Sequence, residues 1–354
     1  MYPPRNINRS MTGTTSRGPT SEREFPQAQV SILMPMRNAS QYVENAVQSI
    51  LAEKRIRLEL VIVDDGSTDG SFSIVRGIDD ARVRLLNGPC KGIAACMNVA
   101  LNAASGEIVM RCDADDSYPP GRIAWQTTWL AANLSHIAVC GQFSTMDSRG
   151  SLVADLFTRS VENLALDVND ELYAGITRTH FCTFAVRRTV ALAAGGFREF
   201  FETAEDIDFM LRLGGLGLIR YVPLQAYLYR LHDASITHTQ DARRRRWFEK
   251  TARQFAVQRA SLRDDPLMLG VQSEPPTCGD EVHPSRAGRQ IQDMLWGRAW
   301  LQLDRGERRA GFSTAIRALQ LSPLRPIAWY QVLKIFMRIV GVTRPGRRKQ
   351  VDTD

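Results

Sequence analysis

The chain has 354 residues, 44% of them hydrophobic and 23% charged, with a formal net charge of +7. This balance permits a core of normal size, and the length suits one large α/β domain with a smaller appendage, or two domains. No run of about 18 uncharged apolar residues occurs, so no transmembrane helix is expected.

Residues 1–28 are rich in Pro, Ser, Thr, Gly and Arg and lack the apolar segment of a signal peptide. A disordered tail is expected there. Cys90, Cys96, Cys112, Cys140, Cys182 and Cys278 form no CxxC pair and no zinc spacing with His. Most lie in apolar stretches, where Cys behaves as a small hydrophobe, and this favours a reducing, cytoplasmic compartment. Basic residues gather at 243–246 and 344–349. Each run reads most simply as a solvated face, and no nucleic-acid partner is expected.

Residues 29–34 read as a short buried strand bounded by Pro35. Residues 40–52 place Val43, Ala46, Val47, Ile50 and Leu51 at helical spacing, with Ser40 as N-cap. Residues 58–63, LELVIV, form a second strand that ends in the polar turn DDGSTDGS. A third strand is expected at 82–86, a helix at 91–104, and a fourth strand at 107–112 that ends in DADD. Strands alternating with helices imply a parallel sheet with crossovers. Such sheets bind ligands beyond the carboxyl ends of their strands. Residues 35–38, 64–69 and 113–116 all follow strands, so polar chemistry gathers on one edge.

Further along, 137–143 and 219–222 could be strands, and GGFREFFETAEDIDFMLRL joins a turn to a helix. Residues 238–285 are charged and contain PPTCGD, which suggests a linker with a basic helix. Residues 286–321 resemble one tetratricopeptide-like helix pair, and 327–341 are apolar with two basic interruptions.

The strongest chemistry lies in MRCDADDSYPPGR. Pyrophosphate leaves poorly unless its charge is neutralised, and a hard divalent cation does this by bridging carboxylate and phosphate oxygens. Asp113 and Asp115, just past a strand end, can both point into a crevice, with Asp116 as a further ligand or a support. An acidic turn capping the next helix is the blander reading. The preceding apolar strand favours a metal, Mn2+ or Mg2+. In LELVIVDDGSTDGS, Asp65 can accept from a base N–H or a ribose hydroxyl while Ser67, Thr68 and Asp69 shape a turn.

In TAEDIDFMLRL, Glu205, Asp206 and Asp208 fall at a helix start, where the dipole alone favours acids. A sugar acceptor also needs a carboxylate general base, and Asp206 is the choice, with Glu205 beside it. Attack opposite the leaving group inverts the anomeric centre without an enzyme nucleophile. In YLYRLHDASIT, Arg230 can meet phosphate and His232 a metal, with a structural role equally open for His232. His180 could line an acceptor site or belong to a core. Neither GxGxxG, nor a P-loop, nor GxSxG occurs.

These segments, in this order, resemble family 2 glycosyltransferases of the GT-A fold. The resemblance begins at VSILMPMRNASQYVENAVQSIL and runs through VIVDDGSTDGS, KGIAACMNVALNAASGEIVMRCDADDSYPPGRI and GGFREFFETAEDIDFMLRL to YRLHDASIT, over residues 29–237. It implies an α/β fold with a GT-A-like, mostly parallel sheet flanked by helices, and a smaller C-terminal helical appendage. It implies metal-dependent, inverting transfer of a sugar from a nucleotide diphosphate-sugar, UDP before others, to a hydroxyl of a glycan or lipid-linked acceptor. By the resemblance Asp65 contacts the base, Asp113 lies near ribose and metal, Asp115 ligates the metal, and Asp206 is the base. His232 reaches the metal or diphosphate, and Pro35 and Asn38 line the nucleotide pocket. Lys91, Ala114, Asp116 and Arg230 complete the nucleotide-sugar contacts. Arg37 stands where the family often has Tyr or Phe, which leaves base stacking open there. Arg246-Trp247 lacks the Gln of the processive QxxRW motif, which implies single-sugar transfer.

Two other classes stand beside this one. A sugar nucleotidyltransferase wants a Gly-rich, basic loop after the first strand, where this chain has MPMRNAS. A non-catalytic GT-A scaffold is opposed by the intact acidic motifs. A receiver-like acidic pocket leaves DADD and AEDID unexplained. The expected division is a tail to 28, a transferase domain over 29–237, a linker over 238–285, a helical region over 286–342 and a basic tail over 343–354. In the helical region Trp329, Tyr330, Leu333, Phe336, Met337 and Val340 recur at near-helical spacing, with Lys334 and Arg338 on another side. That segment reads either as a helix packed on the preceding pair or as one docked peripherally on an anionic membrane, the inner face of the plasma membrane.

Overall fold

The computed structural model describes residues 28–155, 165–176, 179–235, 241–271, 274–277 and 287–340. The tail before residue 28, Cys278 and the basic run at 344–349 lie outside the described residues.

The strands are β1 Val30–Met36, β2 Leu58–Asp64, β3 Val83–Asn87, β4 Ile108–Arg111, β5 His136–Met146, β6 Leu152–Asp155, β7 Leu166–Asp167, β8 Ala185–Arg187 and β9 Leu218–Arg230. Among the described residues they form one mixed sheet in the order β3-β2-β1-β4-β8-β5-β9-β7, with β6 paired to β5. The first four strands are mutually parallel, as the alternation of strands and helices predicts. β8 is antiparallel to both β4 and β5, and β5 runs parallel to β9.

β1 and β2 are buried along almost their whole length, as strands covered on both faces must be. Alternate side chains feed two cores. Leu33, Val61 and Val63 pack into one with Phe181, Phe197 and Phe209. Ile32, Met34, Leu60 and Ile62 pack into the other with helix α1, Val43–Leu51. Pro35 does not end β1, as expected, but sits within it opposite Val63. Leu33 turns its carbonyl to Cys112 on the β4 side. Pro35 has the same parity and faces the place where β4 has already ended, so its missing N–H leaves no ladder bond unmade.

Several boundaries move. Helix α1 is capped by Tyr42, not Ser40. The Ser40 N–H instead donates to Asp69 Oδ2 at 3.0 Å. Helices α2, Ser71–Arg76, and α3, Ile93–Ala103, follow β2 and β3. α4, Arg122–Ala132, packs between β4 and β5 in sequence, and α5, Asn169–Ala174, and α6, Arg188–Ala193, are short. β9 is far longer than 219–222 and reaches Arg230. Its pairing with β5 shifts register where Tyr221 and Gln225 face Cys140 and Gln142. That bulge absorbs Pro223, which had interrupted the apolar pattern.

The stretch at 238–285 is not simply a linker. After α7, Glu205–Gly214, and β9 comes α8, Ala242–Leu262. α8 sends Phe248, Ala252, Phe255 and Ala256 into the same core as Phe209. These four recur at helical spacing, but the arginines between them dominate the composition. The final helices are α9 Ala287–Asp304, α10 Arg308–Gln320 and α11 Pro326–Ile339. They share a small core of Ala299, Leu303, Ala315, Leu319, Ala328, Val332 and Ile335. A second cluster joins Val153 and Leu231 of the sheet to Ile291, Leu295 and Ala318. Arg317 Nη2 donates to Asp147 Oδ2 at 2.7 Å, and the Ala287 N–H donates to Asp233 Oδ1 at 2.8 Å. Among the described residues no helix is long and apolar enough to cross a membrane.

Candidate active site

β1 and β2 end side by side at Met36 and Asp64. Asn38 adopts a left-handed φ of 52°, which Asn tolerates better than most residues. Its Oδ1 accepts from the Thr68 N–H at 2.8 Å, and its own N–H donates to Ser67 Oγ at 3.0 Å. The two loops are thereby latched together. Asp65 is buried, and its Oδ2 accepts from the Gly92 N–H at 2.8 Å. Gly92 holds a φ of +91° at the start of α3, a conformation open to glycine and strained for other residues. Asp65 Oδ1 is buried and accepts from no N–H or O–H among the described residues, with the weakly donating Cys96 thiol near the carboxylate. Such an oxygen is costly unless a ligand supplies a donor. Lys91, beside Gly92, is exposed, Pro35 is half-buried and Ala114 is buried.

β4 ends at Arg111, a buried residue that the sequence reading missed. Its Nε and Nη2 donate to Asp113 Oδ1 and Oδ2 at 2.7 and 3.2 Å, and its Nη1 donates to Glu205 Oε1 at 3.1 Å. One guanidinium thus ties the acidic loop to the start of α7. A lone Arg inside EIVMRC was the available signal, because a buried cation demands partners. Tyr227, also missed, accepts the Asp113 N–H on its hydroxyl at 2.9 Å.

Asp115 Oδ2 lies 2.8 Å from His232 Nε2. The expected trio of Asp113, Asp115 and His232 is not assembled. Among the described residues no group of three or more His, Cys, Asp or Glu is gathered for a metal, because Arg111 holds the Asp113 carboxylate. What remains is one carboxylate and one imidazole. That donor pair suits a Mg2+- or Mn2+-like ion, which takes one or two protein ligands and completes its shell with phosphate oxygens and water.

Two expected contact residues, Asp116 and Arg230, lie deeper in the site. Asp116 is buried, and its Oδ1 accepts from the Arg230 N–H at 2.6 Å. Burial first, and then Asp115 and Asp113, push its carboxyl well above the usual range. In this position it supports the acidic loop, one of the two roles expected of it, while its Oδ2 has no hydrogen-bond partner among the described residues. Arg230 is also buried, and its Nε donates to the Asp115 carbonyl at 2.6 Å. Its guanidinium lies 4.9 Å from the Tyr42 ring centre and reaches the carbonyl of Asp147 at 3.3 Å. Through Nε and Nη1 it braces the acidic loop on main-chain carbonyls.

Helix α7 opens after Ala204, which takes a left-handed φ of 62°. Glu205 is buried against Arg111. Burial, with Asp206 adding, raises its pKa to about 7 against the pull of Arg111. Asp206 is half-buried, and its Oδ1 accepts its neighbour's N–H, that of Ile207, at 2.8 Å. Burial raises its pKa too, while Arg111 opposes. Asp208 is fully buried and paired with Arg198 and Arg212, so it is structural. His180 packs edge-on against Phe143 and Tyr227 at 4.4 and 5.3 Å between ring centres. Burial lowers its pKa to about 3 and leaves it neutral.

The family model described as Glycosyl transferase family 2 matches residues 31–193. The chondroitin synthase of Pasteurella multocida (strain Pm70) is 27% identical over 205 residues, which are 57% of this chain and 20% of that protein. The chain thus spans a fifth of that synthase. The putative glycosyltransferase EpsE of Bacillus subtilis (strain 168) is 31% identical over 229 residues, which are 62% of this chain and 76% of that protein. The crystal structure of S. aureus TarS 1-349 in complex with UDP-GlcNAc has the same fold. It matches with a TM-score of 0.54 and 17% identity, over 88% of this chain and 89% of that one. The mixed sheet flanked by helices is therefore GT-A-like, and the chain belongs to glycosyl transferase family 2.

Proposed function

We propose that the protein transfers a single sugar from a nucleotide diphosphate-sugar, a UDP-sugar first, to a hydroxyl of a glycan or lipid-linked acceptor, with inversion. One observation carries the reading. Asp65 with a buried oxygen that accepts from no N–H or O–H among the described residues, the Asp115–His232 pair and Asp206 come from β2, β4, β9 and α7 to the same edge of the sheet. Nucleotide, diphosphate and acceptor each find a matching group there.

In this reading Asp65 Oδ1 accepts from the base or ribose, while Pro35 and the Asn38 latch shape the pocket around it. Lys91 lies toward the phosphates. Asp115 and His232 would hold Mn2+ or Mg2+, which when bound would neutralise charge developing on the leaving diphosphate. Asp206 accepts the proton of the acceptor hydroxyl as its oxygen bonds to the anomeric carbon and the carbon–phosphate oxygen bond breaks. A raised pKa suits that task, since a base poised nearer neutrality removes a proton more effectively. Glu205 and Asp113, both held by Arg111, fix the geometry around it. The reaction belongs to the cytoplasm, a compartment that suits the exposed free thiol of Cys90.

Thermal denaturation with nucleotide is the test. UDP with Mn2+ should raise the melting temperature by mass action, and UDP with chelator much less. Equal stabilisation in both overturns the metal. No stabilisation by any nucleotide diphosphate, and no hydrolysis across a panel of nucleotide sugars, overturns the whole reading.

A further inference from the structure

Helix α11 turns Ala328, Val332 and Ile335 inward, where they pack with Ala315 and Leu319 of the appendage. Its outer side carries Trp329, Tyr330, Leu333 and Phe336, each between 48% and 57% exposed, and Leu324 in the loop before it is 95% exposed. Apolar side chains are singly exposed on any protein surface. Here they fall within a little over three helical turns and form one contiguous strip.

The charged side chains of the segment itself have one sign. From 324 to 340 the sequence holds Arg325, Lys334 and Arg338 and no Asp or Glu. Lys334 Nζ stands 4.4 Å from the Tyr330 ring centre, at the border of the strip. Arg338 leans toward Asp304 of α9 at 3.5 Å, on the side nearer the appendage. Four further cations, Arg344, Arg347, Arg348 and Lys349, follow in the sequence. A second copy of the chain laid on this strip by a two-fold axis would set these cations against each other. A surface of anionic phospholipid meets both features at once. Aromatic and aliphatic side chains enter the headgroup boundary, while lysine and arginine stay among the phosphates.

We infer that the outer face of α11 docks the protein on an anionic phospholipid surface. The helix lies in the plane of the interface, with Trp329, Tyr330, Leu333 and Phe336 inserted and Lys334 and Arg325 at the headgroups. The contact stands independently of the sugar-transfer reading, because its residues share none with the nucleotide site.

Flotation of the full chain with vesicles tests it. Vesicles of phosphatidylcholine with about one third phosphatidylglycerol should carry the protein at low salt, and pure phosphatidylcholine should carry far less. Leu333→Glu should abolish flotation. Lys334→Glu, at a half-buried side chain outside the apolar core of the appendage, should weaken it by about five-fold or more, since each cation near an anionic leaflet counts for about that factor. Should Leu333→Glu fail to fold, the lysine variant and added salt still decide. Wild-type protein that stays with the soluble fraction, equal flotation with both vesicles, or flotation untouched by both variants overturns the inference. So does a dimer in light scattering that Leu333→Glu dissociates, because the strip would then be a protein interface.

Discussion

The imidazole of His232 and the carboxylate of Asp115 are 117 positions apart in the chain and 2.8 Å apart in the fold. β9 makes this possible by running 13 residues to Arg230, which delivers His232 beside the loop that follows β4. If the pair holds a cation, His232→Ala should remove most of the Mn2+-dependent stabilisation by UDP while leaving metal-free stability within about 1 kcal/mol. Retention of the full metal effect in that variant would reassign the histidine to structure.

Asp206 is the more open of two adjacent acids, and Glu205 is locked by Arg111. Asp206→Asn should lower the turnover number by about 10²–10⁴-fold with donor affinity nearly unchanged. Steady-state kinetics beside nucleotide titration separates the two effects. Near wild-type turnover would move the base elsewhere.

Arg111 is buried between Asp113 and Glu205. Arg111→Met leaves Asp113, and above about pH 7 the ionised Glu205 as well, without their cation. Removing one partner of a buried ion pair costs about 3–5 kcal/mol. Chemical denaturation should show that loss, and adding Glu205→Gln should restore part of it. No loss in the single variant would mean that water already satisfies both acids.

Glu205 has a folded pKa of about 7, above its ordinary 4.5. The folded protein therefore holds a proton that the unfolded chain gives up. Stability from this group falls as pH rises from about 4.5 to about 7 and stays low above. Glu205→Gln carries no titrating proton, so its stability relative to wild type should improve between about pH 5 and about pH 8. Parallel stability profiles for the two proteins would contradict the shift.

Phe255 of α8 is buried in the main core beside Phe200, Phe201 and Phe248. Phe255→Ala should cost about 3–5 kcal/mol, read from urea denaturation. A cost near zero would return residues 242–262 to the status of a detachable linker.

The parallel half of the sheet was legible because both faces of β1 and β2 are buried, so the strands appear as unbroken apolar runs. The acidic segments at 64–69 and 113–116 were legible because each follows an apolar strand. What escaped notice has a common physical source. β9 carries a bulge around Pro223, and local periodicity does not register a strand that changes register. α8 hides four core residues among arginines, some of which reach partners only the fold supplies, as Arg253 does the Leu172 carbonyl and Arg259 the Asp265 carboxylate. Arg230 and Asp116 look like ligand-binding residues in one dimension, and Arg111 carries no mark beyond being a lone cation in an apolar run. Only the fold brings their partners near: main-chain carbonyls for Arg230, the Arg230 N–H for Asp116 and the distant acid Glu205 for Arg111. Asp65 lies where a strand-end acid was expected, buried at the carboxyl edge of the sheet with the Gly92 N–H on its Oδ2.

Arg230 holds the Asp115 carbonyl and also the carbonyl of Asp147, and Asp147 is gripped in turn by Arg317 of α10. The appendage is therefore not a modular accessory that could be exchanged at its linker. A chimera given another C-terminal region would have to reproduce the Arg317 anchor and the apolar seat on Val153 and Leu231. Otherwise the loop bearing Asp115 would lose its backing. Inheritance of the two parts as a unit, and failure of grafts that divide them, follow from that chain of three residues.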